Sequence, residues 1–257
     1  MRRLAIYAHF DPDNEVKRYV LHTLGELGRD CERLDFVSTS PLPAAEQGKL
    51  RGSCASVTLK DNVGYDFGMW QRALAETDLE AWDEIVLANS SVFGPVFPMS
   101  SAYERAGSAD FWGMTDNHDI AWHLQSYFLV FRRPVLRSAA FRQFWQSVLP
   151  YRDKFQAIRA YEVGLTRFLR EAGFRARALY PVRSLFPPWP LRGLYRKPDD
   201  NATCYHPLRL LRAGMPLVKV QLLRDNPVDV RLGPVVRYLE RTGYDLSLID
   251  FLLPARR

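Results

Sequence analysis

The sequence predicts an α/β domain built on a mostly parallel sheet with crossover helices, and three observations support this. Short apolar runs alternate with helix-period segments through the first ninety residues. The apolar runs are followed by polar residues, as expected where strands enter loops. Hydrophobic residues make up 47% of the 257 residues, which is enough for a large buried core and excludes a disordered chain.

Strands and helices can be assigned in order along the first third of the chain. Leu4–Ala8 predicts a strand, and Val16–Leu27 predicts a helix because its apolar residues recur every three or four positions. A second helix is predicted over Phe67–Ala75. The remaining predicted strands are Leu34–Val37, Ser56–Leu59 and Glu84–Ala88.

Polar segments follow four of these predicted elements. Because ligands bind beyond the carboxyl ends of parallel strands, such segments are expected to meet at one edge of the sheet and form a binding site there. The segments are His9–Asn14, Ser38–Ser40, Asp61–Asp66 and Asn89–Ser91.

The second half of the chain continues the pattern less regularly. Trp122–Phe131 predicts a further buried strand, and Ala140–Val148 and Val163–Ala172 predict amphipathic helices. Tyr180–Asp200 holds five prolines among aromatic residues, which predicts an irregular loop over the site. With no internal repeat, the expected organisation is a catalytic domain over residues 1–200 and a cap over residues 201–257 within the same compact unit.

Charge and cysteine content limit the possible partners. The net charge of +6 comes from scattered arginines, which predicts no nucleic-acid partner and favours a nucleotide diphosphate and an anionic membrane surface. Cys31, Cys54 and Cys204 lack metal-ligand spacing and fit a reducing compartment. No run of eighteen apolar residues occurs, so a cytoplasmic protein, peripheral at the inner face of the membrane, is predicted.

A glycine-containing segment joins the third predicted strand to the next helix. Within Val57–Gly68, residues Asn62, Gly64 and Gly68 resemble the Asn-x-Gly-x-x-x-Gly element of family 2 inverting glycosyltransferases. The resemblance implies that these residues and Asp66 lie against the nucleotide and the donor sugar. The alternative is an ordinary helix-starting turn in which Asp66 is favoured by the helix dipole.

The triplet Asn89-Ser90-Ser91 stands where GT-A-type enzymes carry an Asp-x-Asp motif that holds a divalent metal. Mg²⁺ prefers carboxylate ligands, so Asn89 and Ser91 are expected to bind Mg²⁺ or Mn²⁺ weakly, and no cofactor is predicted to be required. The triplet is similar to the Asn-x-Ser-Val-x-Gly-Pro element of the rhamnan synthesis protein F family. That resemblance implies a GT-A-like fold with the triplet at the donor.

Two late segments, Asn201–Pro207 and Gly214–Pro227, resemble the C-terminal signature of the same family. The resemblance implies that His206, Lys219 and Arg224 contact the donor diphosphate, where negative charge develops as it leaves. The alternative is that Lys219 projects into solvent from an edge strand and His206 caps a turn.

Trp112–His118 and Trp122–Phe131 resemble two further elements of that family. The implied role is recognition of the donor sugar and the acceptor, which needs several polar groups on rigid elements. The residues expected to do this are Thr115, Asp116, His123, Gln125 and Ser126. A metal cluster built from Asp116, His118, Asp119 and His123 is the alternative, although no histidine pair has the i, i+4 spacing of a helical ligand pair.

A base is needed to take the proton of the acceptor hydroxyl. Tyr161–Phe174 resembles the helix of family 2 transferases whose initial acidic residue is that base, which implies Glu162 as the catalytic residue. Val163 stands where a second carboxylate often occurs. The alternative role of Glu162 is a helix-capping charge.

The resemblance extends in order from Ala5 to Pro227. It implies inverting transfer of rhamnose from dTDP-rhamnose, with a UDP- or GDP-sugar as alternative, to a lipid-linked glycan acceptor in cell-surface polysaccharide synthesis, such as lipopolysaccharide O-antigen. A catalytically silent glycan-binding or scaffold module and a metal-dependent hydrolase are the competing hypotheses.

Overall fold

The computed structural model describes residues 1–186 and 201–253, and a central sheet organises them. Seven strands form that sheet, in the order β10-β6-β9-β4-β1-β2-β3. The strands of the described residues are β1 Arg3–His9, β2 Arg33–Ser38, β3 Ser56–Leu59, β4 Glu84–Asn89, β5 Val92–Phe93, β6 Phe111–Gly113, β7 Asp116–Asn117, β8 His123–Leu124, β9 Phe128–Arg132, β10 Ala176–Ala178 and β11 Val218–Lys219.

The sheet is mostly parallel. Strand β1 pairs in parallel with β2 and β4, β2 with β3, and β10 with β6. Only β9 runs the other way, between β4 and β6. The predicted α/β class with a mostly parallel sheet is therefore confirmed.

Helices cover both faces of the sheet. Their bounds are α1 Arg18–Asp30, α2 Ala44–Gly48, α3 Tyr65–Ala75, α4 Ser100–Arg105, α5 Arg133–Leu136, α6 Ala139–Gln146, α7 Lys154–Ala157, α8 Gly164–Glu171, α9 Ala202–Tyr205, α10 Pro207–Arg212, α11 Val220–Arg224 and α12 Leu232–Arg241. A π-helical turn, Ile158–Val163, joins α7 to α8 and makes one continuous helical run.

Side chains alternate across the central strands and feed two hydrophobic cores. Ala5 and Tyr7 of β1 pack with α1, α10 and α12, whereas Leu4 and Ile6 pack with α3, α6 and α8. Every residue of β1 is buried, as expected for a strand covered on both faces. Strand β3 alternates between partly buried and exposed residues because it lies at the edge of the sheet.

Two predicted elements differ from the structure. The predicted strand Trp122–Phe131 is broken, because residues 125–127 separate β8 from β9. The helix predicted to begin at Val163 begins earlier, so Glu162 lies inside the helical run that starts at Lys154. The helix-capping interpretation of Glu162 is therefore wrong, since the residue is about two turns from the start of the run.

The C-terminal segment returns to the sheet. Strand β11 pairs antiparallel with β5, and Val220 donates a backbone hydrogen bond to Ser91. The loop predicted over Tyr180–Asp200 falls partly outside the described residues. In residues 1–186 and 201–253, no helix combines the length and the apolar character that crossing a bilayer requires.

Candidate active site

The carboxyl ends of the parallel strands converge at one edge of the sheet. His9 ends β1, Ser38 ends β2 and Asn89 ends β4. Because β9 is antiparallel to β4, the residues before it reach the same edge, and the backbone NH of Asn89 donates to the carbonyl of Tyr127 at 3.3 Å. Polar residues from both halves of the chain therefore meet there.

The Asn89–Ser91 turn is held by its own side chains. Asn89 Oδ1 accepts hydrogen bonds from Ser91 N at 3.1 Å and from Ser91 Oγ at 2.6 Å. Asn89 Nδ2 donates to Asp66 Oδ2 at 2.7 Å, which ties the turn to the first turn of α3. The amide oxygen is thus already used, and two of the three residues carry hydroxyls rather than carboxylates, so the donor set fits a hard divalent cation poorly.

Lys219 lies over this turn. Its Nζ donates to Ser91 Oγ at 3.1 Å and stands 4.6 Å from the ring centroid of Tyr127. The residue is half-buried at the end of β11. The alternative in which Lys219 simply projects into solvent is therefore wrong, and its ammonium group is held beside the Asn89–Ser91 turn.

Glu162 is oriented by two neighbours from the 121–127 segment. Ser126 Oγ donates to Glu162 Oε2 at 2.5 Å, and His123 Nε2 lies 3.4 Å from Glu162 Oε1. His123 Nδ1 donates to the carbonyl of Ala121 at 2.8 Å. Since that nitrogen carries a proton, the second ring nitrogen can face the carboxylate favourably only when it is protonated too.

These contacts shift the titration of the pair. Burial alone would raise the pKa of Glu162, but the hydrogen bonds from His123 and Ser126 and the charges of His123 and Lys219 lower it below the ordinary value. Burial opposes the charged form of His123, yet the hydrogen bond to Glu162 raises the pKa of the imidazole. The pair therefore favours a carboxylate beside an imidazolium.

Glu162 and Lys219 belong to one cleft. Ser126 contacts Glu162, the next residue, Tyr127, lies under Lys219, and the lysine charge reaches far enough to lower the pKa of Glu162. The side chain of Glu162 is 18% exposed, so it can meet a ligand from this cleft. An acid and a cation are thus close enough at the edge of the sheet for their charges to interact.

Three predicted sugar contacts lie in supporting positions. Thr115 Oγ1 donates to Gln125 Oε1 at 2.6 Å and lies 2.7 Å from Tyr127 Oη. Asp116 Oδ1 accepts from Val182 N at 2.7 Å, and Asp116 Oδ2 accepts from Trp122 Nε1 at 2.9 Å. All three are buried, so they fix the loops that carry His123 and Ser126.

Other predicted donor residues are placed less directly. His9 is buried, its Nδ1 lies 2.9 Å from Ser38 Oγ, and burial lowers the pKa of the ring to about 4, so it supplies no charge at neutral pH. Asn62 is exposed. Ser90 Oγ accepts from Phe10 N at 3.2 Å.

The glycine element has a structural explanation. Gly64 has a φ of 82°, in the left-handed region that glycine favours. A Cβ at Gly68 would lie 2.2 Å from the carbonyl oxygen of Val63. Both glycines therefore shape the turn that brings Asp66 to Asn89, whatever ligand the turn approaches.

The remaining C-terminal candidates lie around the edge. His206 packs its ring against Phe186, with centroids 4.7 Å apart. Arg224 pairs with Asp225 at 2.8 Å, and its charge acts on Tyr19, whose hydroxyl donates to the carbonyl of Ser90. Arg224 is thus turned toward Asp225 and the Tyr19 side of the edge.

Sequence reasoning missed two aromatic residues at this edge. Phe10 follows β1 directly, is 50% exposed and is bonded through its backbone to Ser90. Tyr127 links the acid side of the cleft to the cation side. An exposed phenylalanine directly after a buried strand is a signal that could have identified Phe10.

The metal-cluster alternative finds no support in the described part of the chain. No three His, Cys, Asp or Glu residues come together there in a metal-binding arrangement. Asp116 and His118 approach to 3.5 Å, but the carboxylate is committed to Trp122 and Val182.

A family profile described as rhamnan synthesis protein F matches residues 34–252. The chain belongs to this family. The predicted membership is thereby confirmed.

Two curated proteins are similar to this chain in sequence. Virulence protein VirA of Vibrio anguillarum is 28% identical over 198 residues, which are 68% of this chain and 64% of VirA. The protein y4gN of Sinorhizobium fredii is 28% identical over 154 residues, which are 56% of this chain and 40% of y4gN. The chain thus spans less than two thirds of the length of either relative.

Among solved structures, the glycosyltransferase GlyE of Streptococcus pneumoniae has a TM-score of 0.49 at 12% identity, covering 100% of this chain and 66% of GlyE. The galactosyltransferase LgtC, solved with donor and acceptor sugar analogues, has a TM-score of 0.42 at 15% identity, covering 93% of this chain and 95% of LgtC.

Proposed function

We propose that this rhamnan synthesis protein F family member is an inverting glycosyltransferase that uses a nucleotide-diphosphate sugar. The observation that carries the proposal is the shared cleft, in which a hydrogen-bonded carboxylate, Glu162, and an ammonium group, Lys219, flank Tyr127 at the carboxyl edge of the sheet. Sugar transfer needs these two kinds of group on opposite sides of the anomeric carbon.

On the donor side, Lys219 and the Asn89–Ser91 turn receive the diphosphate. As the bond from the anomeric carbon to the diphosphate oxygen breaks, negative charge moves onto that oxygen, and a fixed ammonium group stabilises it. Lys219 is fixed by Ser91 and the face of Tyr127. Because the turn offers hydroxyls and an engaged amide, the proposed reaction does not depend on Mg²⁺ or Mn²⁺. Phe10, exposed beside Ser90, offers a ring face to the nucleotide base.

On the acceptor side, Glu162 takes the proton. The acceptor hydroxyl attacks the anomeric carbon from the face opposite the diphosphate, which inverts that carbon, and its proton passes to the carboxylate. The lowered pKa of Glu162 keeps the group ionised at neutral pH, while Ser126 and His123 hold its two oxygens. Ser126 and His123 are thus positioning residues.

The finer assignments rest on the family description and on charge. The family is named for rhamnan synthesis, which supports rhamnose and hence dTDP-rhamnose as the donor. The net charge of +6 supports a lipid-linked glycan acceptor reached at an anionic membrane surface from the cytoplasmic side.

Nucleotide binding and sugar transfer test the proposal together. With EDTA present, dTDP or UDP is expected to raise the unfolding temperature of the wild type, because a ligand of the native state stabilises it. Lys219→Ala should lose most of that shift, whereas Lys49→Ala, which removes a surface lysine paired with Glu46, should keep it.

Glu162→Gln should keep the nucleotide shift but lower kcat by roughly 10² to 10⁴, as loss of a general base does. Glu76→Gln, at an exposed ion pair with Lys60, is the matched control. No shift with any nucleotide, with or without metal, would instead favour a scaffold module, and full turnover by Glu162→Gln would remove that residue from its role.

A further inference from the structure

An open groove of about 750 Å³ lies along the helical run that carries Glu162. Residues of that run form its floor. The floor residues are Gln156, Arg159, Ala160, Val163, Gly164 and Arg167. Ile120, Ala121 and Tyr151 form the walls.

The groove opens beside the proposed base. Ala121 in its wall is the residue whose carbonyl orients His123, and Val163 in its floor follows Glu162 directly. The groove therefore adjoins the segments that carry the proposed base and its partner His123.

The charge in the groove is positive. Its lining contains two arginines and no carboxylate. Arg159 has no ion-pair partner in residues 1–186 and 201–253. Arg167 pairs with Glu171 at 3.5 Å, but both side chains are mostly exposed, so an anionic ligand can replace this partner at little cost. On the groove floor, the residues between the two arginines, Ala160, Val163 and Gly164, are all small or apolar.

Exposed apolar side chains border these charges. Ile120 in the wall is 44% exposed, and Phe155, next to Gln156 of the floor, is 62% exposed. Such a surface suits an amphiphile with an anionic head, because the arginines can bind the head and the exposed apolar side chains can pack against the apolar part.

We infer that this groove binds a phosphate or diphosphate group that joins the acceptor glycan to an apolar chain, with Arg159 as its main contact and Arg167 as the second. The inference rests on the proposed function, since it assigns the acceptor side of that site. The shared chemistry is a phosphate ester on an apolar chain, carried either by the acceptor itself or by bulk membrane lipid, and we assign it to the acceptor.

The test titrates farnesyl diphosphate into the full chain with saturating dTDP present, so that the donor diphosphate site is blocked. Arg159→Gln should weaken binding roughly tenfold, as loss of a charge-assisted contact to phosphate does, and Arg159→Lys should restore part of it. The double variant with Arg167→Gln should weaken it further. Arg237→Gln, an exposed arginine on α12 across the sheet, should change nothing. Thermal unfolding of each variant verifies that it is folded.

Two further probes identify the source of the phosphate. Inorganic pyrophosphate should bind at least tenfold more weakly than farnesyl diphosphate, because it lacks the apolar chain. Vesicles of phosphatidylcholine with 30% phosphatidylglycerol should show no dependence on Arg159. Equal binding of pyrophosphate, or vesicle binding that Arg159→Gln abolishes, would overturn the assignment.

The outcome separates the inference from the proposed function. If Lys219→Ala rather than Arg159→Gln abolished farnesyl diphosphate binding, the probe would occupy the donor site, and the inference would fail while the transferase proposal stood. If farnesyl diphosphate bound through Arg159 but no nucleotide bound anywhere, the groove would stand and the transferase proposal would fail.

Discussion

At the scale of single residues, contact with His123 controls the ionisation of Glu162, the proposed base. The imidazole donates one hydrogen bond to the carbonyl of Ala121, and its other nitrogen lies 3.4 Å from the carboxylate. A base with a lowered pKa accepts a proton less readily but is ionised over a wider pH range. Glu162 is therefore a weaker base than an ordinary carboxylate, but it is ionised down to a lower pH.

Replacing His123 by Gln should move the acid limb of the kcat/KM profile to higher pH. The change removes the charge and hydrogen bond that lower the pKa of Glu162, while the burial that raises it remains. Ser126→Ala should move the limb in the same direction by a smaller amount. The measurement is kcat/KM from pH 4 to 9, with thermal unfolding as the check on folding. An unchanged acid limb in both variants would contradict the assignment of these two residues.

Residue types in the cleft could be predicted, but their partners could not. Glu162 and Lys219 are separated by 57 positions in sequence, and nothing local shows that Tyr127 stands between them. Asp116 and Ser126 are both polar residues of the same region, yet one is committed to Trp122 and the other to Glu162. Which hydroxyl or carboxylate faces a ligand depends on tertiary packing.

At the scale of elements, the turn into α3 depends on a close backbone approach. The carbonyl of Val63 lies where a side chain at Gly68 would be, while the NH of Gly68 donates to Gly64 at 2.9 Å. This packing positions Asp66 against Asn89. The spacing of Gly64 and Gly68 in the sequence thus predicts the turn correctly. The backbone conformation of the turn requires both glycines even when no ligand is considered.

Gly68→Ala should lower the free energy of unfolding by about 2 kcal/mol or more, because the backbone must shift to admit the methyl group. Gly25→Ala, in the middle of α1, has nothing within 4 Å of the added Cβ and should stabilise by up to about 1 kcal/mol through helix propensity. Urea unfolding of both variants measures the difference. Equal effects of the two changes would show that the approach of Val63 is not a constraint.

The elements differ in how well the sequence predicts them. Strands β1 to β4 follow from apolar runs of adequate length, and each observed strand lies within two residues of its prediction. Trp122–Phe131 looks like one strand because residues 125–127 are flanked by apolar residues, but Gln125 bonds to Thr115 instead of extending the ladder. The apolar pattern does not predict that the helical run begins at Lys154, because the π-helical turn shifts the apolar period by one residue.

At the scale of the whole molecule, two buried histidines give stability opposite dependences on pH. His9 has a pKa lowered to about 4 by burial, so the unfolded chain takes up a proton below about pH 6.5 that the folded chain refuses. Its contribution is present above that pH and is lost as pH falls toward 4. His123 has a raised pKa, so its contribution is present below about pH 6.5 and is lost as pH rises through the folded-state pKa.

The free energy of unfolding is therefore expected to be highest near neutral pH. His9→Gln should flatten the acid side between about pH 6.5 and 4, where His9 accounts for up to about 3 kcal/mol. Denaturant unfolding at a series of pH values measures both slopes. If the free energy of unfolding fell equally steeply between pH 6.5 and 4 in wild type and variant, His9 would not be the cause of that fall.

The bond from Lys219 to Ser91 joins residues 128 positions apart. A ribosome adds residues from the N-terminus, so most of the sheet has been synthesised long before this lysine emerges. Nascent chains that end before the lysine have the acid side of the cleft without its cation. The proposed cation is thus added to the site only after all seven strands of the central sheet have been synthesised.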